Sequence, residues 1–145
     1  MHNNILIYIA IIFITSSVSV NNPTPNDDVI RKWARYFSNS TLTEEERIAE
    51  LTWFVEVTAP FRGRTIHAVA ENIETHFWER DVLTVAFEEL TGIQVIYDVI
   101  GEGSVVENLT EQQRTGYRLY DIYVNDADLV GTHMRTNAVV NLTEY

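Results

Sequence analysis

The stretch QVIYDVIGEGSVVENLTEQQRTGYRLYDIYVND, Gln94 to Asp126, reads as strand, helix, strand. Ile93 to Ile100 is almost continuously β-branched and aromatic, the pattern of a strand covered on both faces. Gly101-Glu102-Gly103 then turns the chain. Ser104 with Glu107 forms a capping box that opens a helix through Val105, Val106 and Leu109, closed by Gly116. Leu119 to Val124 is the next strand, and Asn125 and Asp126 come directly after it. Two strands joined through a helix are parallel, and ligands of open α/β sheets sit beyond the carboxyl ends of such strands.

The residues before this stretch repeat the unit. Thr65 to Ala70 is a short buried strand, with His67 expected as a hydrogen-bonded core residue. Glu71-Asn72-Ile73-Glu74-Thr75 is a loop in which Thr75 can cap a helix. That helix places Val82, Leu83, Ala86, Phe87 and Leu90 on one face and ends at Gly92. The order β-α-β-α-β predicts an α/β fold with a parallel sheet in order 2-1-3.

A helical hairpin precedes the sheet. Val29, Ile30, Trp33 and Phe37 recur at helical spacing, and Ser38-Asn39-Ser40 ends that helix. Thr43 and Glu46 form a capping box for a second helix through Ile48, Leu51, Phe54 and Val55, which stops at Pro60. The hairpin aromatics are read as packing. Ile5 to Ile14 is an apolar run of ten residues, too short for a comfortable bilayer span and suited to a signal-peptide core, with Ser17-Val18-Ser19 before the cleavage site. The chain therefore divides into a signal peptide (1–19), a linker with the hairpin (20–60), and an α/β lobe (61–145). Asp126 or a neighbour is expected to cap a short helical turn toward His133, and Val139-Val140-Asn141-Leu142 to open a further extended segment.

Composition narrows the chemistry. Of 145 residues 46% are apolar, enough for one packed domain, and 21 acidic residues against 10 basic ones give a net charge of −11. An acidic chain without basic clusters is a poor ligand for a phosphate backbone, so nucleic acid is not expected as a partner. There is no cysteine, which excludes disulfides, thiolate nucleophiles, cysteine-based zinc sites and a lipid-modified cysteine.

Three parallel strands would bring their exits to one edge: Glu71, Asn72, Glu74 and Thr75 after the first, Glu102 after the second, Asn125 and Asp126 after the third. That edge is rich in acceptors and poor in cations, which suits a neutral polyhydroxylated ligand better than a phosphate. Glu71 and Asp126, if suitably spaced, could serve as the acid and base of a glycoside hydrolase. Paired acids at strand ends more often bind or are solvated, and no catalytic residue is assigned. His76 and Glu79 lie one helical turn apart, but a lone His-x-x-Glu is a weak metal signal and is read as a solvent-facing pair, so no metal is assigned. Neither a dinucleotide fingerprint, a phosphate loop nor a nucleophile elbow is present, and no cofactor is expected. Asn39-Ser40-Thr41, Asn108-Leu109-Thr110 and Asn141-Leu142-Thr143 match the N-glycosylation pattern, the second inside a predicted helix.

Ala86-Phe87-Glu88-Glu89-Leu90-Thr91-Gly92-Ile93-Gln94-Val95 and Tyr120-Asp121-Ile122-Tyr123-Val124-Asn125-Asp126 resemble segments of the extracellular solute-binding proteins of ABC importers. Trp53-Phe54 through Pro60-Phe61-Arg62-Gly63, Glu71-x-x-x-Thr75-His76, Ile100-Gly101-Glu102-Gly103 and Asn125 through His133 are similar to the glycerol and sugar-alcohol branch. The resemblance runs from Asp27 to Tyr145. It implies a periplasmic-binding-protein-like first lobe, a sugar or polyol ligand, delivery to a membrane permease, and a monomer in the periplasm or secreted. Carried over by position, Glu71, Asn72, Thr75, Asn125 and Asp126 would touch the ligand, with Glu102 a weaker match. Members of the family run to several hundred residues and close two lobes on the ligand. The resemblance thus also implies that this chain covers part of the first lobe and binds polyols weakly or not at all alone. Two other readings arise from the residues: a fragment of a carboxylate-dependent glycosidase, and a docking module for another protein.

Overall fold

The computed structural model describes residues 27–124, 130–136, 139, 140 and 143. The signal-peptide core, the linker, and the site residues Asn125 and Asp126 lie outside the described residues, as does the expected cap at Asp126. The chain divides between Asn125 and Asp126, and the sheet belongs to the unit ending at Asn125. In the other unit Val130–Thr136 is a helix, in which the Thr136 hydroxyl donates to the Thr132 carbonyl (2.9 Å). Val139 and Val140 form no strand, and the rest of the extended segment expected there lies outside the described residues.

The hairpin consists of α1 (Asp27–Tyr36) and α2 (Glu44–Thr58). The predicted capping box forms: Glu46 N–H donates to Thr43 Oγ1 (3.2 Å), and Thr43 N–H donates to the Glu46 carboxylate (2.8 Å). Arg47 closes the connection by donating to the carbonyls of Ala34 and Leu42, acceptors that the end of α1 and the loop leave open.

A single helical run succeeds β1 (Thr65–Glu71). It comprises α3 (Glu74–Trp78), a π-helical turn (Glu79–Leu83) and α4 (Thr84–Thr91). Gly92 ends it with φ 67°, and the Gly92 N–H donates to the Glu88 carbonyl (2.8 Å). A side chain there would be strained and would crowd Arg62 Nη1 at 3.1 Å. Next come β2 (Gln94–Ile100), α5 (Glu102–Thr115) and β3 (Ile122–Tyr123). The three strands form one parallel sheet in order β2-β1-β3, the predicted topology, with Glu71 level with Ile100 and Val69 level with Tyr123.

Burial results from β1 being central. Ala68, Val69 and Ala70 are all buried. Val69 packs with Val105 and Leu109 of α5, bordered by Ile100, Tyr120 and Tyr123. A second core joins Ile30 and Trp33 of α1, Val55 of α2, and Ala86 and Leu90 of α4. The hairpin aromatics thus divide, with Trp33 in the core and Trp53 mostly exposed. Glu89 bridges the same helices: its carboxylate accepts from Lys32 Nζ (2.7 Å) and Trp33 Nε1 (2.8 Å).

Five expectations need correction. The strand β2 is not covered on both faces; Gln94, Ile96 and Asp98 are exposed, because β2 is an edge strand and α5, which stands over β1, meets it only at its end, Ile100. Thr75 is not a cap. Ile73, extended, holds that position, and its carbonyl accepts from His76 N–H (3.0 Å). The Ser104–Glu107 capping box does not form, since α5 starts earlier, at Glu102, with Gly101 as its N-cap, whose carbonyl accepts from Ser104 N–H (2.9 Å). The third strand is shorter than Leu119–Val124 because Gln112 Oε1 accepts from the N–H groups of Leu119 (2.7 Å) and Tyr120 (2.8 Å) and holds them off the sheet. His67 is exposed rather than in the core; its backbone is engaged by Asp121, the N–H donating to Oδ2 (3.0 Å) and the carbonyl accepting from the Asp121 N–H (2.8 Å).

Two outcomes test this packing. Ala70→Leu adds volume to a fully buried position and is expected to lower stability by about 1–3 kcal/mol, read from the urea midpoint. Lys32 chiefly, with Trp33, holds the Glu89 carboxyl below its ordinary range against a smaller opposing effect of burial. A depressed folded value means stability present above about pH 4.3 and lost as pH falls through the folded value. Glu89→Gln should therefore cost about 0.5 kcal/mol at pH 7, the scale of a partly exposed pair, and progressively less as pH falls below about 4.3 in parallel urea titrations.

Candidate functional site at the carboxyl edge of the sheet

The ladder fixes where the candidate residues meet. Because Glu71 pairs with Ile100, the segments that leave β1 and β2 emerge side by side on one edge. Glu71 is half-buried at the end of β1, while Asn72, Thr75 and Glu102 are exposed. Glu102 occupies the first turn of α5 rather than a loop, since that helix begins at it. None of these four side chains hydrogen-bonds to another residue of the described chain, and each keeps its polar atoms for solvent or a ligand. The structure thus brings Glu71, Asn72, Thr75 and Glu102 to one edge. Asn125 and Asp126, expected beside them, lie outside the described residues, and so does the spacing of the Glu71–Asp126 pair.

Beside this edge lies a polar cluster in the interior. His76, in the first turn of α3, is not a solvent-facing residue; its side chain is 8% exposed. Its Nδ1 lies 2.9 Å from Glu79 Oε2, and the same oxygen accepts from the Tyr97 hydroxyl at 2.8 Å. Tyr97 belongs to β2 and points to the face that carries α3, opposite to its neighbour Asp98. Burial, and then the Glu79 carboxylate, push the Tyr97 hydroxyl well above the ordinary tyrosine range. His-x-x-Glu is visible in the sequence as a pair, but its third member is hidden in a strand whose residues read as wholly structural. Among the described residues no group of three or more His, Asp or Glu could hold a metal ion.

The other face of the sheet carries a second network. The Tyr120 hydroxyl donates to Asp98 Oδ2 (3.2 Å) and accepts from Asn108 Nδ2 (3.4 Å). Burial first, then Asp98, raises the Tyr120 hydroxyl above its ordinary range. Asn108 is therefore a half-buried helical residue whose amide is already engaged. Asp121 is engaged as well, by Arg118 Nε (2.8 Å) and by the His67 N–H.

No family model matches this chain, and neither does any curated protein or solved structure.

Tyr97→Phe removes one of the two donors to Glu79 and is expected to cost about 1 kcal/mol at pH 7. A hydroxyl whose folded value is raised contributes stability below the unfolded value, about pH 10, and loses it as pH rises from there toward the folded value. The advantage of the native protein over the variant should accordingly narrow between about pH 9 and pH 11 in urea titrations, the range around that ordinary value.

Proposed function

We propose that this chain is a binding module for a sugar, glycerol or related polyol, acting as the substrate-binding component of an ABC importer and exported by its first 19 residues. The observation that carries the reading is the parallel sheet in order 2-1-3, whose ladder sets Glu71 beside Ile100 and so gathers Glu71, Asn72, Thr75 and Glu102 at one edge. Carboxylates accept only, an amide both donates and accepts, and a hydroxyl does either, so this set complements the hydroxyls of a neutral ligand. None of the four is cationic, which disfavours a phosphate or carboxylate ligand. The sequence resemblance to solute-binding proteins supports the same assignment and adds a permease as the partner that receives the ligand. No catalytic step belongs to this reading.

Among the described residues the edge is a single open wall. A small-molecule site normally buries most of the ligand's surface, whereas Asn72, Thr75 and Glu102 are exposed. Hydrogen bonds made there compete with bulk water, so the reading assigns the opposite wall to a second lobe and gives this chain only weak affinity.

Titration of the 15N-labelled chain with glycerol and with a hexose tests the assignment. The expected result is a dissociation constant of about 1 mM or weaker, corresponding to roughly 4 kcal/mol, with shifts confined to Glu71–Thr75 and Gly101–Glu102. Silence at both segments, or shifts centred elsewhere, would remove the polyol reading. Micromolar binding would overturn the single-wall argument.

A further inference from the structure

The cluster of His76, Glu79 and Tyr97 is built more elaborately than a helix-to-strand tie requires. Glu79 Oε2 receives the Tyr97 hydroxyl at 2.8 Å and faces His76 Nδ1 at 2.9 Å. A carboxylate has only lone pairs to offer, so the hydrogen in the second contact belongs to Nδ1. In the neutral ring the lone pair then sits on Nε2, and the carboxylate partner fixes the tautomer.

That second nitrogen has no partner among the described residues, and it is not among the polar atoms occluded from solvent. The ring is otherwise buried, with 8% of the side chain exposed. His76 directly succeeds Thr75, in the turn that begins where the segment from β1 ends, and its own N–H is held by the Ile73 carbonyl. Burial and the contact with Glu79 hold the ring. What it offers is an acceptor on a restrained ring, one residue beyond Thr75 in the turn that follows the open polar edge. The helix also widens into a π turn beginning at Glu79, the residue that grips the ring. Such turns recur where a helix carries function rather than packing alone.

We infer that His76 is a further ligand contact, its Nε2 accepting a hydrogen bond from a hydroxyl of the polyol while Glu79 and Tyr97 hold the ring in the Nδ1–H form. The inference rests on the reading of the carboxyl edge as a polyol site. It adds a neutral acceptor to that edge, so a further ligand hydroxyl is recognised without another negative charge.

Long-range 1H–15N correlation on the full chain, uniformly labelled with 15N so that the Asn72 and Thr75 amides are seen with the histidine rings, tests it, with glycerol as the probe. The four histidines of the chain are assigned through their own side-chain carbons, so that no variant has to fold. The expected spectrum shows a protonated Nδ1 and a bare Nε2 for His76. Added glycerol should move that Nε2 resonance upfield, in step with the backbone amides of Asn72 and Thr75. A protonated Nε2, or an Nε2 that stays fixed while those amides move, overturns the assignment of His76 and leaves the edge as a polyol site. If neither the amides nor the ring respond, the polyol site itself fails, and the contact from His76 fails with it.

Discussion

The fold depends on the burial of Ala68-Val69-Ala70 on both faces and along both edges. A central strand satisfies its backbone only if two neighbours pair with it, and it satisfies its side chains only if a layer covers each face. Val69 supplies bulk toward α5, where Val105 and Leu109 meet it. The flanking alanines lie on the opposite face, which carries α3, and their small size leaves room there for the large Tyr97 of the neighbouring strand. Because β1 holds the register of β2 residue by residue, it also decides that Glu71 and the start of α5 emerge together. The position of the candidate site is thus a consequence of the ladder rather than of the loops.

Local chemistry explains which parts of this fold were legible in the sequence. Thr43 with Glu46, Gly92 and Gly116 act within one helical turn of themselves, and each does what its residue type predicts. The sheet order was implied by short connections and parallel crossovers. The misreadings arose where a distant group took over. Gln112 withdraws Leu119 and Tyr120 from the third strand by accepting both of their N–H groups. The start of α5 is a local exception: Gly101 is its N-cap, so Ser104 already lies inside the helix. The apolar run of β2 resembled a covered strand, yet its place at the edge leaves Ile96 40% exposed. Glu88 adjusts that edge by accepting from the Val95 N–H (2.7 Å), a contact that spans a turn and has no sequence signature.

The candidate site was legible to the same degree. Glu71, Asn72, Thr75 and Glu102 could be gathered from sequence because parallel strands share an exit edge, whatever the details of their loops. The environment of His76 could not. A spacing of three residues on a helix gives the pair with Glu79, but burial depends on what lies beneath the helix, and that is Tyr97 from a strand eighteen residues beyond Glu79. The π turn has no composition of its own in Glu79–Leu83, so the change in helical pitch that accompanies the cluster is a tertiary property.

The carboxylates around the sheet separate into two groups, and the separation carries the functional argument furthest. Glu79, Glu88, Glu89, Asp98 and Asp121 are each spent on a donor within the chain: a hydroxyl, a ring nitrogen, a backbone amide, an ammonium or a guanidinium. Glu71 and Glu102 make no such bond, although both lie where two strands deliver their ends. Surface acids are commonly unpaired, and alone this would mean only solvation. Here they share the carboxyl edge with an unspent amide and hydroxyl from Asn72 and Thr75, one residue before the restrained imidazole of His76. Anions are repelled by such a set, and no thiolate is available to it. A ligand that brings several hydroxyl donors and no charge complements these acceptors, which is the chemical reason why the proposed ligand is a polyol rather than a phosphate.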